Sequence, residues 1–166
     1  MITELAITKP DVAKAVLDVQ LPSYRIEAQI IDYEEIPPLK DTVETLQQCG
    51  ESFYGYYAGN ELTGVISFKI EEDVIDIHRL VVHPNHFRQG IAKKLLDYVE
   101  GLKIKRNKII VSTGTKNTPA VNFYLKNGFV IVKEIKVSEQ LSLTSLEKQR
   151  IEGNQISLRL VRDRLD

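Results

Sequence analysis

The chain has 166 residues, 43% of them hydrophobic and 27% charged, which suits one domain with a real core. Lys and Arg number 22 against 23 Asp and Glu, a formal charge of −1, so the basic excess of a general nucleic-acid binder is missing. A single cysteine, Cys49, excludes an internal disulfide, Cys49 with three histidines gives no metal-ligand spacing, and no apolar run approaches the roughly 20 residues of a membrane span.

The start, Met1-Ile2-Thr3-Glu4-Leu5, lacks the basic and apolar regions of a signal peptide, so a cytoplasmic protein is expected. Residues 2–7 alternate weakly and are expected to form a first strand. Lys9 to Gln20 carries Val12, Ala15, Val16 and Val19 at helical spacing behind Pro10. Leu21 to Ile36 reads as helix plus loop. Pro37-Pro38 ends any helix and opens the next, through Thr42, Val43, Leu46 and Gln47. Ser52–Ala58 and Leu62–Ile70 flank the turn pair Gly59-Asn60 and read as a hairpin, and Glu72-Asp73 turns the chain again into Val74–Val82. Gly90–Leu102 is an amphipathic helix with Ile91, Leu95, Val99 and Leu102 on one face. Lys108–Ser112 is a short strand, and Thr118-Pro119 opens a helix that Asn127-Gly128 caps. Phe129–Val137 and Gln155–Val161 alternate as the last two strands. Between them Ser138 to Arg150, with Leu141, Leu143 and Leu146, reads as an insertion, either a helix or extended arm used in a homodimer contact or a surface insertion. The order implies a single α/β (α+β) domain over residues 1–166. Its mixed, mostly antiparallel sheet should have about six or seven strands, with helices on both faces.

Two stretches carry chemistry. In the first, a strand through Leu80, Val81 and Val82 ends at Pro84, and Arg88-Gln89-Gly90-Ile91-Ala92-Lys93 opens a helix. The first amides of a helix have no partners inside it and sit at the positive end of its dipole, so they bind anions. Gly90 and Ala92 let a pyrophosphate approach the backbone, and Arg88 and Lys93 add positive charge. Rossmann and P-loop patterns are both missing. In the second, Asn117-Thr118-Pro119-Ala120-Val121-Asn122-Phe123-Tyr124 leads into Asn127-Gly128-Phe129. Taken alone, Tyr124 reads as a half-buried aromatic on an amphipathic helix.

The first stretch resembles motif A of the GNAT acetyltransferases (residues 74–103), and the second resembles their motif B (108–129), in the family's order. The resemblance implies an acetyl-CoA-dependent N-acetyltransferase. The amides around Arg88, Gln89, Gly90, Ile91, Ala92 and Lys93 would bind the CoA pyrophosphate. The backbone of Leu80, Val81 and Val82, with Asn117, would hold the pantetheine arm, and Tyr124 would protonate the departing thiolate. One departure is Phe87, which stands where the family usually writes Arg or Gln.

Acetyl transfer also needs a base, because an alkylamine is mostly protonated at neutral pH. Ser112 occupies the place of the glutamate that some ribosomal-protein acetyltransferases of the family carry, and Ser112 cannot serve. Asp76 stands at the place of the histone-type glutamate. Strict alternation would put Val74, Asp76, His78, Leu80 and Val82 on one strand face, making Asp76 and His78 the base candidates. The family builds its acceptor site largely from the first helices, here Leu21 to Thr42 with Tyr24, Arg25, Glu27, Tyr33, Glu34 and Glu35. These residues read either as a seat for a cationic amine or as a solvated face. The expected acceptor is a small-molecule or peptidyl primary amine, and no nucleic acid, membrane or metal is expected as a partner. The alternative reading is an acyl-CoA-binding regulatory module that has lost catalysis.

Overall fold

The computed structural model describes residues 1–150. Strand β1 (Ile2–Leu5) leads into the long helix α1 (Pro10–Ile31), a 3-10 turn at Pro37–Lys40 and the short helix α2 (Val43–Gln48). The strands β2 (Ser52–Ala58), β3 (Glu61–Glu71) and β4 (Val74–Val82) follow as a meander. Helix α3 (Ile91–Glu100) crosses to β5 (Lys108–Gly114), and α4 (Thr118–Lys126) leads to β6 (Val130–Lys136) and β7 (Ser142–Gln149). The seven strands form one sheet in the order β1-β2-β3-β4-β5-β7-β6, in which β4 and β5 are the one parallel pair. This is the expected mixed, mostly antiparallel sheet with helices on both faces. Among the described residues no helix is long and apolar enough to cross a membrane.

Each face of the sheet has its own core. On one side Val16, Val19, Ala28 and Ile31 of α1 pack with Leu46, Phe53, Val65 and Val81. On the other, Ile91, Leu95 and Val99 of α3 pack with Ile66, Phe68, Ile75, Ile77, Ile109 and Val111. Helix α1 starts with Pro10 in its first turn, where a missing N–H leaves no bond unmade, and ends at Asp32 in the left-handed region (φ 54).

The closing strand corrects the sequence reading. Ser142–Gln149 is neither an insertion nor a homodimer arm. It lies between β5 and β6, paired from Lys108↔Gln149 to Gly114↔Leu143 on one edge and from Val130↔Glu147 to Lys136↔Ser142 on the other. Only a turn separates it from β6, with the amides of Val137 and Ser138 both donating to the Leu141 carbonyl. The strand holds because Thr144 and Leu146 are fully buried between its neighbours. The strand expected at Gln155–Val161 lies outside the described residues.

Gly64 of β3 sets the height of α3 over the sheet. A Cβ there would stand 2.6 Å from Ile91 Cγ2 and 3.1 Å from Leu95 Cδ1, so the helix rests on bare backbone. Gly64→Ala should therefore cost about 1–3 kcal/mol of stability, the usual penalty of overpacking. Urea unfolding measures it, and an unchanged midpoint would mean that α3 has room to shift.

Candidate active site

The site begins with an irregularity in β4. Ser67 pairs with Arg79 and the next residue, Phe68, pairs with Ile77, so His78 is an extra residue without a partner on β3. A bulge of this kind bends its strand and shifts the side-chain alternation by one. Before it, Ile75 and Ile77 face α3. After it, Val81 faces α1, while Leu80 and Val82 turn to the α3 side. Val74, Asp76, His78, Leu80 and Val82 thus do not share one face, because the bulge divides them. The parallel ladder to β5 runs from Val74↔Lys108 to Ile77↔Val111 and stops there, while β5 continues against β7 to Gly114. Beyond the bulge no strand pairing joins the facing edges of β4 and β5 among the described residues, and the two strands separate into a split.

Helix α1 crosses over this split. Gln20 reaches Arg79 on β4 at 3.1 Å, and one helical stripe further on Glu27 accepts a hydrogen bond from Asn117, just past β5, at 2.9 Å. The Thr113 hydroxyl lies 3.5 Å from the same Glu27 oxygen, and Ile31 packs on Gly114. Asn117 also caps α4, its Oδ1 accepting from the Ala120 amide. Both ends of its carboxamide are therefore engaged within the chain.

Tyr24, one turn before Glu27, and Tyr124, on α4, are buried with 8% and 6% of their surface exposed. They belong to the cores of opposite faces, yet each phenol lies within reach of the Glu27 charge. Burial, with Glu27 adding to it, pushes both hydroxyls well above the usual tyrosine range. No described residue hydrogen-bonds to either one. Among the described residues the one fully enclosed side-chain polar atom without a partner is Nε of Arg106.

Nearer the foot of the split lies an ion-pair network. Arg79 Nε donates to Glu51 Oε1 at 3.0 Å, its Nη1 donates to Asp41 and Gln20, and Ser67 donates to Glu51 at 2.6 Å. Burial works to raise the Glu51 and Asp41 carboxyls. The hydrogen bonds from Arg79, with Ser67 at one and Gln20 and Thr45 at the other, outweigh it and hold both low. His78 Nε2 lies 3.5 Å from Asp76 and its Nδ1 3.8 Å from Glu51. Partial burial raises the Asp76 carboxyl, with His78 opposing.

At the far end of β4 lies the loop expected to bind anions. Gly90 is the N-cap of α3 at φ 75, and a Cβ there would meet nothing within 4 Å. Arg88 also adopts a positive φ of 62. The first helical bond is from Lys94 to the Gly90 carbonyl, which leaves the amides of Ile91, Ala92 and Lys93 without partners inside the helix. The side chain of Ile91 is core, and Lys93 pairs with Asp97 at 2.9 Å, so its charge is partly spent along the helix.

The structure thus brings Asp76 and His78 together, and Asn117 and Tyr124 onto α4. The sequence reading missed the Arg79 network and the link from Glu27 to Asn117. One signal was present: Arg79 stands between Ile77 and Val81, where a charge needs buried partners.

The chain matches a family model described as the acetyltransferase (GNAT) family over residues 13–129. It is 38% identical over 144 residues to the UPF0157 protein YqkA of Bacillus subtilis (strain 168), covering 87% of this chain and 42% of that protein. It is 32% identical over 81 residues to a streptothricin acetyltransferase of Escherichia coli, covering 47% of each. The chain spans less than half the length of these two curated relatives. Among solved structures, the PaiA N-acetyltransferase of Thermoplasma acidophilum, in complex with coenzyme A, shares the fold with a TM-score of 0.75. That match has 23% identity and covers 90% of this chain and 98% of that one.

Removing the guanidinium tests the network. Arg79→Ala leaves two buried carboxylates without their cation and should cost about 3–5 kcal/mol at pH 7. In the wild type both carboxyls titrate below their unfolded values. Their contribution is therefore present above the unfolded carboxylate range and fades as pH falls through the lower folded values. In the variant burial, which raises both carboxyls, is opposed only by the hydrogen bonds of Ser67, Gln20 and Thr45 and by His78, so the loss of stability relative to the wild type should be larger at pH 7 than at low pH. Melts of both proteins across that range decide, and a variant as stable as the wild type, or a deficit that grows in acid, would contradict the assignment.

Proposed function

The chain belongs to the GNAT acetyltransferase family, and we propose that it transfers an acetyl group from acetyl-CoA to a primary amine of a small molecule or peptide. The observation that carries this reading is the split between β4 and β5, with the α3 amides at one end and the buried Tyr124 within reach of the Glu27 charge that α1 carries across it. The pyrophosphate of CoA is assigned to the amides from Gly90 to Lys93, with Arg88 and Gln89 beside them. The pantetheine amides are assigned to the free backbone edge of Leu80, Val81 and Val82. Asn117 serves there chiefly by capping α4 and holding the mouth of the split, since its carboxamide is already engaged.

Chemistry follows in a ternary complex. The neutral amine attacks the thioester carbon, a C–N bond forms, and the C–S bond breaks as the tetrahedral intermediate collapses. The leaving thiolate takes a proton from Tyr124, whose raised pKa keeps that proton in place throughout the physiological range. The proton lost by the amine is assigned to the Asp76–His78 pair, where a carboxylate raised by burial backs the imidazole. A cytoplasmic location goes with this reading.

Acetyl-CoA at 100 times its dissociation constant should add about 2.7 kcal/mol to stability, seen as a rise in the melting temperature. Thiol release with a panel of polyamines, aminoglycosides, amino acids and peptides then reads turnover. No thermal shift at millimolar acetyl-CoA would sink the reading, and a shift without turnover on any amine would favour a silent CoA-binding module.

Tyr124→Phe keeps the ring and removes the donor, and kcat should fall about 100-fold or more while the acetyl-CoA shift persists. Unchanged kcat would remove Tyr124 from the mechanism.

A further inference from the structure

Strand β6 ends the sheet, and among the described residues only one of its edges is paired, to β7. All seven of its residues are exposed. Five of the eleven exposed large hydrophobic side chains, Val130, Ile131, Val132, Ile135 and Val137, fall within positions 130–137, so the apolar surface is concentrated on this edge. An open edge presents a row of free N–H and C=O groups, and folded chains commonly blunt it with a bulge or with charges. Strand β6 carries both devices, but neither closes the edge. Val132 is an extra residue between Ile131, opposite Leu146, and Lys133, opposite Ser145, and such a bulge bends only the first part of the strand. From Lys133 to Lys136 the pairing with β7 is regular. The charges there, Lys133, Glu134 and Lys136, are of both signs and surround Ile135, so they need not repel a second copy of the same strand.

A twofold axis between two antiparallel copies stands normal to the sheet, so a residue lies opposite itself or opposite one an even number of places away. Within the regular part this leaves four centres. On Lys133 or Lys136 a lysine would face itself, and on Glu134 a glutamate would, each an unfavourable pair. On Ile135 the two isoleucines meet, Glu134 of each copy faces Lys136 of the other, and the Lys133 stem lies along Val137. Lys136 already touches Glu139 at 3.2 Å, but both side chains are exposed and that pair is readily exchanged.

We propose that the free edge of β6 pairs with β6 of a second copy of this chain, antiparallel and centred on Ile135, so that two seven-stranded sheets run on into one. The backbone groups of the edge supply the attraction, and the two Glu134–Lys136 pairs set the register. The interface is β6 itself rather than the stretch from Ser138 to Arg150, and it does not depend on the acetyl-transfer reading.

Sedimentation of the whole chain from micromolar to millimolar concentration should show a monomer–dimer equilibrium. Ile135→Lys sets two cations against each other on the axis and should abolish it. Because Ile135 is exposed, that variant should keep the melting temperature of the monomer. Glu134→Lys or Lys136→Glu alone turns both ion pairs into like-charge pairs by symmetry, and each should weaken association about tenfold or more. The two exchanges together restore opposite charges at both places and should recover the wild-type affinity, which a register centred elsewhere would not give. A wild type that stays monomeric throughout, whether its β6 amides exchange freely or are covered by another segment, would overturn the proposal. A dimer that survives Ile135→Lys would do the same, as would single reversals that the double exchange does not repair.

Discussion

Strand β4 has an antiparallel neighbour on one edge and a parallel one on the other, and at His78 it loses step with both. The added residue ends the ladder to β5 and turns Arg79 toward α1. A guanidinium in that position must be answered, because a buried charge without partners is among the most costly features a fold can contain. Its partners come from separate places: Glu51 before β2, Asp41 after the 3-10 turn, and Gln20 from α1. Such a network adds little net stability compared with an apolar core of the same volume. Its physical consequence is register. A slip of β4 by one residue would carry Arg79 to the α3 face and abandon two carboxylates, so the bulge and the split beside it stay in place.

The split inherits opposite electrostatics on its two sides. Toward α3 stand free helix amides and a bare glycine, which favour anions. Toward α1 stand Glu27, Glu51 and Asp76, which favour cations. In the proposed reaction an anionic acetyl donor and a cationic acceptor would therefore enter from different faces and meet where the sheet is open. Neither is drawn into the other's place. The α1 stripe that carries this polarity, Gln20, Tyr24 and Glu27, sits among Val16, Val19, Ala28 and Ile31, so the same face of one helix holds the core and lines the site.

Much of this was readable in the sequence where the determinants are local. Gly90, Pro84, Asn117 and the Asn127-Gly128 cap each act within a few residues, so the helices α3 and α4 were placed correctly. The bulge was not readable, because it exists only in the pairing of Ser67 and Phe68 with Arg79 and Ile77, and strict alternation assigned Leu80 and Val82 to the wrong face. Strand β7 was missed for a related reason. Ser142–Gln149 has a weak apolar pattern, and what makes it a strand is the pair of neighbours that bury Thr144 and Leu146. Glu27 looked like one more charge on a polar helix segment. Only its contact with Asn117, ninety residues away, separates it from a solvated face.

In the acid role proposed for Tyr124, burial would work for the reaction rather than against it. Read by its raised pKa, the phenol is a poorer acid than free tyrosine, and complete proton transfer to a thiolate, with an ordinary thiol pKa near 8.5, is uphill. The environment that raises the phenol acts equally on the thiolate formed beside it. In a dry site the new anion is poorly solvated, and a fixed O–H aimed at it is worth more than the same bond in water. In that role the charge developing on sulfur would meet a donor already in place and already protonated, and the proton would pass over as the thiolate moves off.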